Sequence, residues 1–579
     1  MEKRVFLAIF LCFIVVWVWQ AYFVPKPPPG PSTTTPATAP PNGAATPPVP
    51  APGSPDVTAI APGAPESPAA APIVADSAAR DIVIETDSIR AVISTAGAVL
   101  KSWKLKKYFD DNGTRQPLEL VPQDVPPGAY ARPFTLVTDD AGVTQTLSRA
   151  LFKPSAEGLT LGSAPGTLSF VYQDASGLNA RKTFYFQPDG KPYVVNVEAA
   201  IDVGGSPQAV EIDWGPALGL GYSPDGSQSM PVRAIQYRND DVERLTVDNL
   251  KEQSRYEGQL RYVGVDEHYF LSSALPGTQA VTVKYQPVTL PAPAPAEGKV
   301  RTFISYSVRV PSASHGTATV PFFIGPKDFD VLKSVDVQLS RAIDFGMFAW
   351  LVVPLLQSLK WINGYLGNFG WSIIVLTILI NLAMFPLRHK SMVSMRKMQA
   401  LQPEVKAIQD RYAKYKLTDP ERQKMNQEMM ALYKQKGVNP ASGCVPMLLT
   451  MPVLFAFYQM LASAIELRGA PFFGWIHDLS KMDPWFVTPL IMGGTMFWQQ
   501  KMMPAAADPV QAKMFMFMPV IFTVMFLWAP SGLVIYWLVS NVMAIGQQYF
   551  TNRIIGAPAR PATRPAPAAV AADKSRKRP

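Results

Sequence analysis

The feature that most constrains this chain is a series of long apolar runs in its C-terminal half. The run from Phe369 to Leu387 has 19 residues and no charged side chain. As a helix it rises about 1.5 Å per residue, which brings it close to the ~30 Å hydrocarbon core of a bilayer. Later runs repeat the pattern, and the last is broken at Pro530-Ser531-Gly532, which predicts a tight hairpin of two helices. The predicted membrane helices in this half are 367–387, 445–464, 485–500, 514–528 and 531–550.

A sixth apolar run lies at the N-terminus, from Val5 to Val24, directly after Lys3 and Arg4. Its 20 residues are enough to span a bilayer, and no small-residue cleavage site of a removable signal peptide follows it. We therefore predict an uncleaved signal anchor at 1–24. Residues 25–80 are predicted to be an extended linker, because their 17 prolines, together with alanine, threonine and glycine, cannot build a core.

Between residues 81 and 330 the pattern becomes that of an all-β protein. Polar and apolar residues alternate in 81–85, 181–197 and 301–310, and turn sequences such as Asp189-Gly190 separate such runs. Short alternating strands with almost no helical periodicity predict a large antiparallel sandwich. We expect this domain on the opposite side of the membrane from Lys3.

The distribution of charge predicts the topology. Residues 388–437 hold 12 lysines and arginines against 5 acidic residues, and the tail 551–579 holds 7 against 1. Residues 466–484 hold only 2 against 3. Since basic segments stay in the cytoplasm, both termini are expected there and residues 25–368 on the outer side. This orientation requires 331–366, whose apolar part has only 15 residues, to lie flat on the outer surface as an amphipathic helix.

The composition agrees with a membrane protein. Apolar residues make up 48% of the chain and charged residues only 17%, against roughly 25% in soluble domains. This composition argues against a soluble multidomain enzyme. The net charge of +9 is explained mainly by segments that orient the chain, although the cluster at 574–578 could also contact ribosomal RNA or anionic lipid. No DNA partner is expected.

The cytoplasmic segment 388–444 predicts two helices. Apolar residues recur at steps of three or four from Met392 to Tyr415, and a second helix begins at Asp419-Pro420 and ends near Gly437. The apolar faces have two possible uses: they pack together as a hairpin, or their flexible methionines also contact varied apolar substrates. The methionines assigned to substrate contact are Met395, Met398, Met425 and Met429.

The predicted spans hold many polar uncharged residues. Thr377 and Asn381 are four residues apart and share a helix face, and Gln459 and Ser540 are examples from later spans. Each could form an interhelical hydrogen bond, whereas a clustered set would line a wet cavity within the bilayer. The spans at 485–500 and 514–528 are also short, about 24 Å and about 22 Å, which favours local thinning of the bilayer.

Enzyme signatures are absent from the sequence. The four histidines are scattered without metal-ligand spacing, and we find no phosphate-binding loop, catalytic triad or HExxH motif. The two cysteines, Cys12 and Cys444, cannot make a disulfide framework. No catalytic residue, metal site or cofactor is predicted.

Several longer motifs resemble the YidC family of membrane protein insertases. The resemblance is close over about 340–550, and the anchor, linker and β-domain fit the Gram-negative form of the family. The motifs that carry it are Val438-Asn439-Pro440, Cys444-Val445-Pro446, Met451-Pro452, Glu466-Leu467-Arg468, Trp475-Ile476-His477-Asp478-Leu479, Pro519-Val520-Ile521-Phe522 and Pro530-Ser531-Gly532-Leu533-Val534-Ile535-Tyr536-Trp537.

The resemblance implies a polytopic α-helical membrane protein with six transmembrane helices, five of which form the insertase core. It also implies an all-β periplasmic supersandwich domain that resembles sugar mutarotases without their activity. The expected function is insertion and chaperoning of membrane proteins in the inner membrane, alone or with the Sec translocon, and not enzymatic catalysis. The expected partners are nascent membrane proteins, the ribosome, the Sec translocon and membrane lipid.

The family's groove, open to cytoplasm and lipid, maps by resemblance onto Thr377, Met451, Leu454, Tyr536 and Trp537. We add Gln459 as a polar residue of the same spans. One position departs from the family pattern. The family usually has an arginine, sometimes a lysine, five residues before the proline of its Met-Tyr-Pro-Leu-like motif, and here Met384-Phe385-Pro386-Leu387 places Asn381 there.

The nearest cation along the same helix is Arg388, seven residues after Asn381. It lies about 20° away around the helix and ~10 Å toward the cytoplasm. One hypothesis is that Arg388 extends along the helix and partly substitutes for the missing cation. The alternative is that hydration by Asn381 and Thr377 suffices.

Two other functions are compatible with part of the pattern. A small-solute transporter would show internal repeats, and the five unequal C-terminal spans show none. A membrane-tethered periplasmic carbohydrate-active protein would need converging carboxylates and histidines in the β-domain, and His268 beside Glu267 is the only such pair noted.

Overall fold

The computed structural model describes residues 70–110, 116–123, 130–216, 218, 232–291, 300–310, 316–412, 414–415, 419–437, 445–502 and 509–555. The chain divides into two compact units, with the boundary between Ile343 and Asp344. The predicted anchor at 1–24, most of the linker and the tail beyond residue 555 lie outside the described residues.

The first unit consists mainly of short strands whose side chains alternate between a buried and a more accessible face. In chain order its described strands are β1 Pro72–Val74, β2 Asp81–Thr86, β3 Ile89–Ser94, β4 Val99–Phe109, β5 Pro117–Glu119, β6 Thr135–Val137, β7 Lys153–Pro154, β8 Gly158–Gly162, β9 Gly166–Asp174, β10 Leu178–Phe186, β11 Val194–Val203, β12 Ser206–Pro207, β13 Glu211–Asp213, β14 Arg233–Arg238, β15 Asp241–Leu245, β16 Arg255–Gln259, β17 Val263–Asp266, β18 Phe270–Ala274, β19 Ala280–Pro291, β20 Val300–Arg309 and β21 Thr317–Pro326.

These strands form three sheets. An 11-stranded sheet has the order β1-β9-β10-β11-β21-β18-β17-β14-β15, with β12 beside β11 and β7 beside β9. Two five-stranded sheets have the orders β16-β19-β20-β13-β6 and β5-β4-β3-β2-β8. Neighbouring strands such as β10 and β11 are antiparallel, and β2 with β8 is a parallel pair.

Aromatic side chains fill the space between the sheets. Trp214 stacks on Phe322 with ring centroids 6.2 Å apart, and Phe134 packs edge-on against Phe322 at 5.2 Å. Trp103 on β4 donates its indole N–H to the carbonyl oxygen of Ile324 on β21 at 3.1 Å, which joins two sheets. Burial of these large rings is the main apolar contribution to this core.

Among the described residues of the same core, Lys182 on β10 is a fully buried cation. Its Nζ donates to the carbonyl oxygens of Gly97 at 3.0 Å, Ala98 at 2.9 Å and Phe134 at 2.6 Å. Three carbonyl acceptors match the three N–H donors of an ammonium group, so the side chain satisfies otherwise unpaired backbone groups. Burial nevertheless lowers the pKa of Lys182 to about 7, because it disfavours the charged form.

Two details of this unit differ from the sequence-based expectation. The linker was predicted to reach residue 80, but Pro72–Val74 already pairs with β9. The unit also contains two short helices, α1 Ala141–Arg149 and α2 Val247–Glu252, where almost no helical periodicity was noted. Both helices have strong local caps, since Asp140 and Thr246 accept hydrogen bonds from backbone N–H groups of the first turn.

A helical segment ends the first unit and the second unit is helical throughout its described regular structure. The helices are α3 Phe329–Val335, α4 Ala349–Leu366, α5 Phe369–Ala400, α6 Gln402–Arg411, α7 Pro420–Gln435, α8 Val445–Ser463, α9 Val487–Met502, α10 Pro509–Phe526 and α11 Ser531–Ile555. Helix α11 packs against α5 and α9, α4 packs against α5 and α8, and α9 packs against α10. The five apolar helices begin within five residues of the predicted runs.

Two predicted boundaries in this part are wrong. The cytoplasmic hairpin was expected to begin at 388, but α5 continues to Ala400 through Pro386. No glycine or asparagine, the residues that favour a helix C-terminus, stands between Arg388 and Ala400, and the apolar spacing continues across this stretch. The segment 331–366 was expected to be one helix, but Asp336 ends α3 and caps a following 3₁₀ turn, so the long helix begins only at Ala349.

The lengths of the helices bear on the membrane assignment. Among the described residues, Phe369–Met398 is the one helix long and apolar enough to cross a bilayer, and Met451–Ser463 and Met516–Phe526 are shorter apolar helices. Four residues separate α10 from α11, and the start of α11 is bonded to the loop that follows α8. Ser531 N and Gly532 N donate to the carbonyl oxygens of Lys481 and Leu479 at 2.7 and 2.9 Å.

Candidate functional site

Polar side chains from α5 and α11 meet in the interior of the second unit. Thr377 and Asn381 are buried on α5, with 0% and 3% of their surface exposed. A spacing of four residues places both on the same side of the helix. Thr377 satisfies its hydroxyl within its own helix, donating to the carbonyl oxygen of Ile373 at 2.6 Å.

Asn381 is the centre of a hydrogen-bond network. Its Nδ2 donates to the carbonyl oxygen of Thr377 at 2.8 Å and lies 3.5 Å from Ser540 Oγ on α11. The main-chain carbonyl oxygen of Asn381 accepts a hydrogen bond from Nε2 of Gln547 at 2.9 Å. The network therefore links the side chain and the main chain of Asn381 to α11.

The cation of this network is Arg388. Its Nη1 donates to Oδ1 of Asn381 at 2.7 Å, and the residue is half-buried. Two facts explain the contact. Seven residues bring a helix almost to the same face, and side chains on a helix point back toward its N-terminus. The guanidinium thus lies against the residue that stands where the family has its basic residue.

An aromatic pair borders this network. The ring of Tyr536 stacks on Phe457 of α8, with centroids 4.3 Å apart and an interplanar angle of 14°, and Tyr536 is buried. Met451 and Leu454 lie half-buried on the same helix α8. The sequence-predicted residues Thr377, Asn381 and Arg388 therefore lie on α5, and Tyr536 lies on α11, which packs against α5.

Two predicted groove residues make their contacts elsewhere. Trp537 packs against Phe522 and Phe526 of α10, with ring centroids 5.7 and 5.0 Å away. Gln459 donates to the carbonyl oxygen of Asp344 at 2.8 Å and to Ser463 Oγ at 3.2 Å, near the end of α8. The described contacts of Gln459 thus do not include Thr377, Asn381 or Arg388.

Both units of this chain match known protein families. Residues 361–557 match the family described as 60Kd inner membrane protein, and residues 81–358 match the YidC periplasmic domain. The membrane protein insertase YidC of Syntrophus aciditrophicus is 38% identical over 483 residues, which cover 82% of this chain and 85% of that protein. The chain belongs to the YidC family of membrane protein insertases.

Other comparisons extend over more of the chain. The membrane protein insertase YidC of Geobacter metallireducens is 34% identical over 571 residues, covering 96% of this chain and 99% of that protein. A solved structure described as an active YidC insertase with the first transmembrane domain resolved covers 83% of this chain at 19% identity, with a TM-score of 0.33. The two other functions considered from the sequence, a transporter and a carbohydrate-active protein, gain no support from the relatives.

In this YidC family member, sequence reasoning missed part of the network. Ser540 was named as a polar residue of the spans but not assigned to the groove, and neither Gln547 nor Thr551 was assigned to it. Thr551 is fully buried, and its Oγ1 lies 3.1 Å from Nδ1 of His389 on α5. The spacing of Tyr536, Ser540, Gln547 and Thr551 is four, seven and four residues, which places them on one face of α11. That spacing was the available signal.

The two helices α6 and α7 pack together by apolar and ionic contacts. Val405 and Ile408 of α6 and Met425 of α7 are buried, whereas Met398 and Met429 are half-buried. The side chain of Met395 lies outside the described residues. Two ion pairs join the same helices, between Lys436 and Glu404 and between Arg411 and Glu428. The hairpin packing is thus present, and the half-buried methionines leave sulfur-containing surface at its edges.

The loop between α8 and α9 is organised around a buried carboxylate. Asp483 is 1% exposed and accepts hydrogen bonds from Trp475 Nε1, from the backbone N–H groups of Trp485 and Thr488, and from the Thr488 hydroxyl, at 2.7–3.0 Å. Burial alone raises the pKa of Asp483, but these hydrogen bonds to the carboxylate outweigh it and lower the pKa. Among the described residues, no group of three histidine, cysteine or acidic side chains could hold a metal ion.

Proposed function

We propose that this chain inserts hydrophobic segments of nascent proteins into the inner membrane, and chaperones them, through a polar groove formed by α5, α8 and α11. The observation that carries the proposal is the hydrogen bond from Arg388 to Asn381 among buried polar side chains of apolar helices. Polar groups inside apolar helices are costly unless paired or hydrated, so their concentration where α5 meets α11 marks a functional site. Insertion makes no covalent change, and no enzymatic role is proposed.

The proposed topology has six membrane spans, five of which form the insertase core. The N-terminal anchor is the first span, and α5, α8, α9, α10 and α11 are the others. The concentration of basic residues in 388–437 and 551–579 supports cytoplasmic termini, with residues 25–368 in the periplasm. Helix α4 lies on the outer surface in this proposal, since it exposes Trp350, Trp361 and Tyr365, residues that favour the membrane interface.

In the proposed mechanism the polar flank of a substrate enters the groove while its apolar segment moves into lipid. Burying one CH₂ group contributes about 0.8 kcal/mol, so an apolar segment of 20 residues supplies ample driving force. The protein has to lower the barrier for the polar flank, which is a few kcal/mol per charge. The half-buried guanidinium of Arg388 attracts an acidic flank, and Asn381 holds the guanidinium in place.

Short helices assist this step in the proposal. Helix α9 has 16 residues, about 24 Å, against a ~30 Å hydrocarbon core. A bilayer adapts to a short span by thinning, which shortens the path of a polar flank. We further propose that two half-buried methionines, Met398 of α5 and Met429 of α7, contact apolar substrate segments first, because methionine adapts to varied apolar shapes.

The proposed partners follow from the same chemistry. Nascent membrane proteins are the substrates, and they reach this chain from the ribosome or by way of the Sec translocon. The basic tail beyond residue 555 is proposed to contact ribosomal RNA or anionic lipid, since phosphate groups attract clustered lysine and arginine without a defined fold.

Photocrosslinking tests the proposed function. Thr377 and Tyr536 are buried in packing, so the crosslinking residue is placed at Met451 or Leu454, which are half-buried, with Val520 on α10 as a matched control at 58% exposure. Each variant, in membrane vesicles, is incubated with stalled ribosomes. The nascent chain on these ribosomes exposes a transmembrane segment. We expect crosslinks to the nascent segment from Met451 and Leu454 and much weaker crosslinks from Val520. Equal labelling at all three positions, or labelling at Val520 alone, would contradict a groove.

A further inference from the structure

Two adjacent glutamines on α11 point to different helices. Gln547 and Gln548 are both buried, at 8% and 7% exposure. Gln547 donates from Nε2 to the carbonyl oxygen of Asn381 on α5 at 2.9 Å, whereas Gln548 donates to the carbonyl oxygen of Met502 on α9 at 3.0 Å. Successive residues on a helix are about 100° apart, so the two amides reach different neighbours. Of these two glutamines, Gln547 contacts the polar network around Asn381 and Gln548 does not, as far as the described residues show.

The contact of Gln547 lies at a weak point of α5. Pro386 has no N–H, so it cannot donate to the carbonyl oxygen of Leu382, and its ring crowds that carbonyl. Helices bend readily where such a bond is missing. Asn381 is the residue immediately before Leu382, so the hydrogen bond from Gln547 joins α11 to α5 where α5 is least rigid.

The orientation of the Asn381 side chain depends on its neighbours. Its Oδ1 accepts from Arg388 and its Nδ2 donates to the carbonyl oxygen of Thr377. The reversed amide would place two donors together at Arg388 and two acceptors together at Thr377, which is unfavourable. With the side chain fixed in this way, any shift of the Asn381 main chain moves the guanidinium that the side chain holds.

Packing alone does not explain a glutamine at position 547. Its Oε1 is buried and has no hydrogen-bond partner within the described residues. Burying an unpaired amide oxygen costs free energy, and a methionine of nearly the same length would fill this space without that cost. The single described hydrogen bond that the Gln547 side chain makes is the one to Asn381.

We propose that Gln547 is a positioning residue of the groove: through the main chain of Asn381 it sets where the Arg388 guanidinium lies, and so it favours substrates with an acidic flank. This inference rests on the proposed function. Gln547 acts through Asn381 and Arg388 and does not itself contact the substrate.

The test compares Gln547→Met with Gln548→Met in the full chain, in membrane vesicles, with the crosslinking residue at Leu454. Two stalled substrates are used that differ only in an acidic or a neutral flank. Gln547→Met is expected to lower crosslinking of the acidic substrate about fivefold, the effect of losing one ordinary hydrogen bond, and to leave the neutral substrate unchanged. Gln548→Met is expected to leave the ratio of the two substrates unchanged.

A second variant guards against simple misfolding. Gln547→Asn keeps the amide but is one methylene shorter, so it has to show the same selective loss with an unfolding midpoint close to that of the unaltered chain. Equal loss of both substrates in the Gln547 variants, or no loss of either, overturns the inference alone. An unaltered chain that crosslinks neither substrate contradicts the proposed function, and the inference with it.

Discussion

Nη1 of Arg388 lies 2.7 Å from Oδ1 of Asn381, which precedes it by seven residues on the same helix. A hydrogen bond to a charged group contributes more than one between neutral groups. The pair therefore places a cation at the level of Asn381 without requiring a basic residue at that position. Asn381 occupies the position at which the resemblance to the family leads us to expect a basic residue.

Removing the cation is expected to affect acidic substrates selectively. Arg388→Met should lower insertion of a substrate with an acidic flank about tenfold and leave one with a neutral flank almost unchanged, because only the former gains from the guanidinium. Protease protection of the translocated flank in membrane vesicles measures both. The double variant Asn381→Arg with Arg388→Met restores a cation at the usual family position and should recover the acidic substrate. Unchanged insertion of the acidic substrate by Arg388→Met would show that polar groups without a cation suffice.

A side chain at Gly493 is expected to separate α9 from α10. A Cβ atom there would clash with Thr523 Oγ1, whereas a Cβ atom at the neighbouring Gly494 would meet nothing within 4 Å. Gly493→Ala should therefore lower the free energy of unfolding by about 1–3 kcal/mol, as overpacking does, and Gly494→Ala should not lower it. Thermal unfolding in detergent, followed by tryptophan fluorescence, compares the two. A similar midpoint for both variants would mean that the two helices are not held this closely.

The buried lysine of the β-unit predicts a dependence of stability on pH. The pKa of Lys182 is about 7 in the folded chain and 10.5 ordinarily, so between these values the unfolded chain binds more protons. Stability should therefore rise from about pH 7 to about pH 9.5, by up to about 1.4 kcal/mol per pH unit. Above that range the buried tyrosines, such as Tyr262, oppose the rise, because burial raises their pKa above the ordinary value of 10.

The opposite slope is expected on the acid side. Burial, and to a lesser extent Glu211, raises the pKa of Asp213 to about 7 from the ordinary 3.8. The folded chain then holds more protons between these values, and stability falls as pH rises toward 7. Urea unfolding of the chain at a series of pH values should show a minimum of the free energy of unfolding near pH 7.

The rise above pH 7 is tested by substitution of Lys182. Lys182→Met should abolish this rise, whereas Lys191→Met, at an exposed position, should keep it. If the rise persists in Lys182→Met, another group causes it.

Breaking a partly buried ion pair is expected to destabilise the helical unit. Lys360 on α4 lies 3.0 Å from Glu466, whose side chain is only 8% exposed. In Lys360→Met the buried charge of Glu466 would lose this positive partner, which should lower the free energy of unfolding by about 3 kcal/mol. The exposed pair of Lys424 and Glu421 on α7 is the control, and Lys424→Met should cost less than about 1 kcal/mol. The unfolding midpoint of each variant measures the difference, and equal midpoints would contradict it.

The amino-acid sequence alone determined the division of this chain and the approximate extent of its helices. Apolar runs and charge asymmetry act over neighbouring residues, so α8 to α11 begin and end close to the predicted runs, and the alternation of 181–197 predicted β10 and β11. The end of α5 was not predicted, because the predicted run stops at Leu387, before the first charged residue, whereas a charged residue does not end a helix and α5 continues to Ala400.

The composition of the site was decided by the tertiary structure. Gln459 and Gln547 are equally polar in sequence, yet one lies near Asp344 and the other contacts Asn381. Trp537 and Tyr536 are adjacent, yet they face α10 and α8. The sequence sets which residues share a helix face, because that depends on 3.6 residues per turn. Which neighbour each face meets depends on the packing of helices far apart in the chain, and only the folded structure provides it.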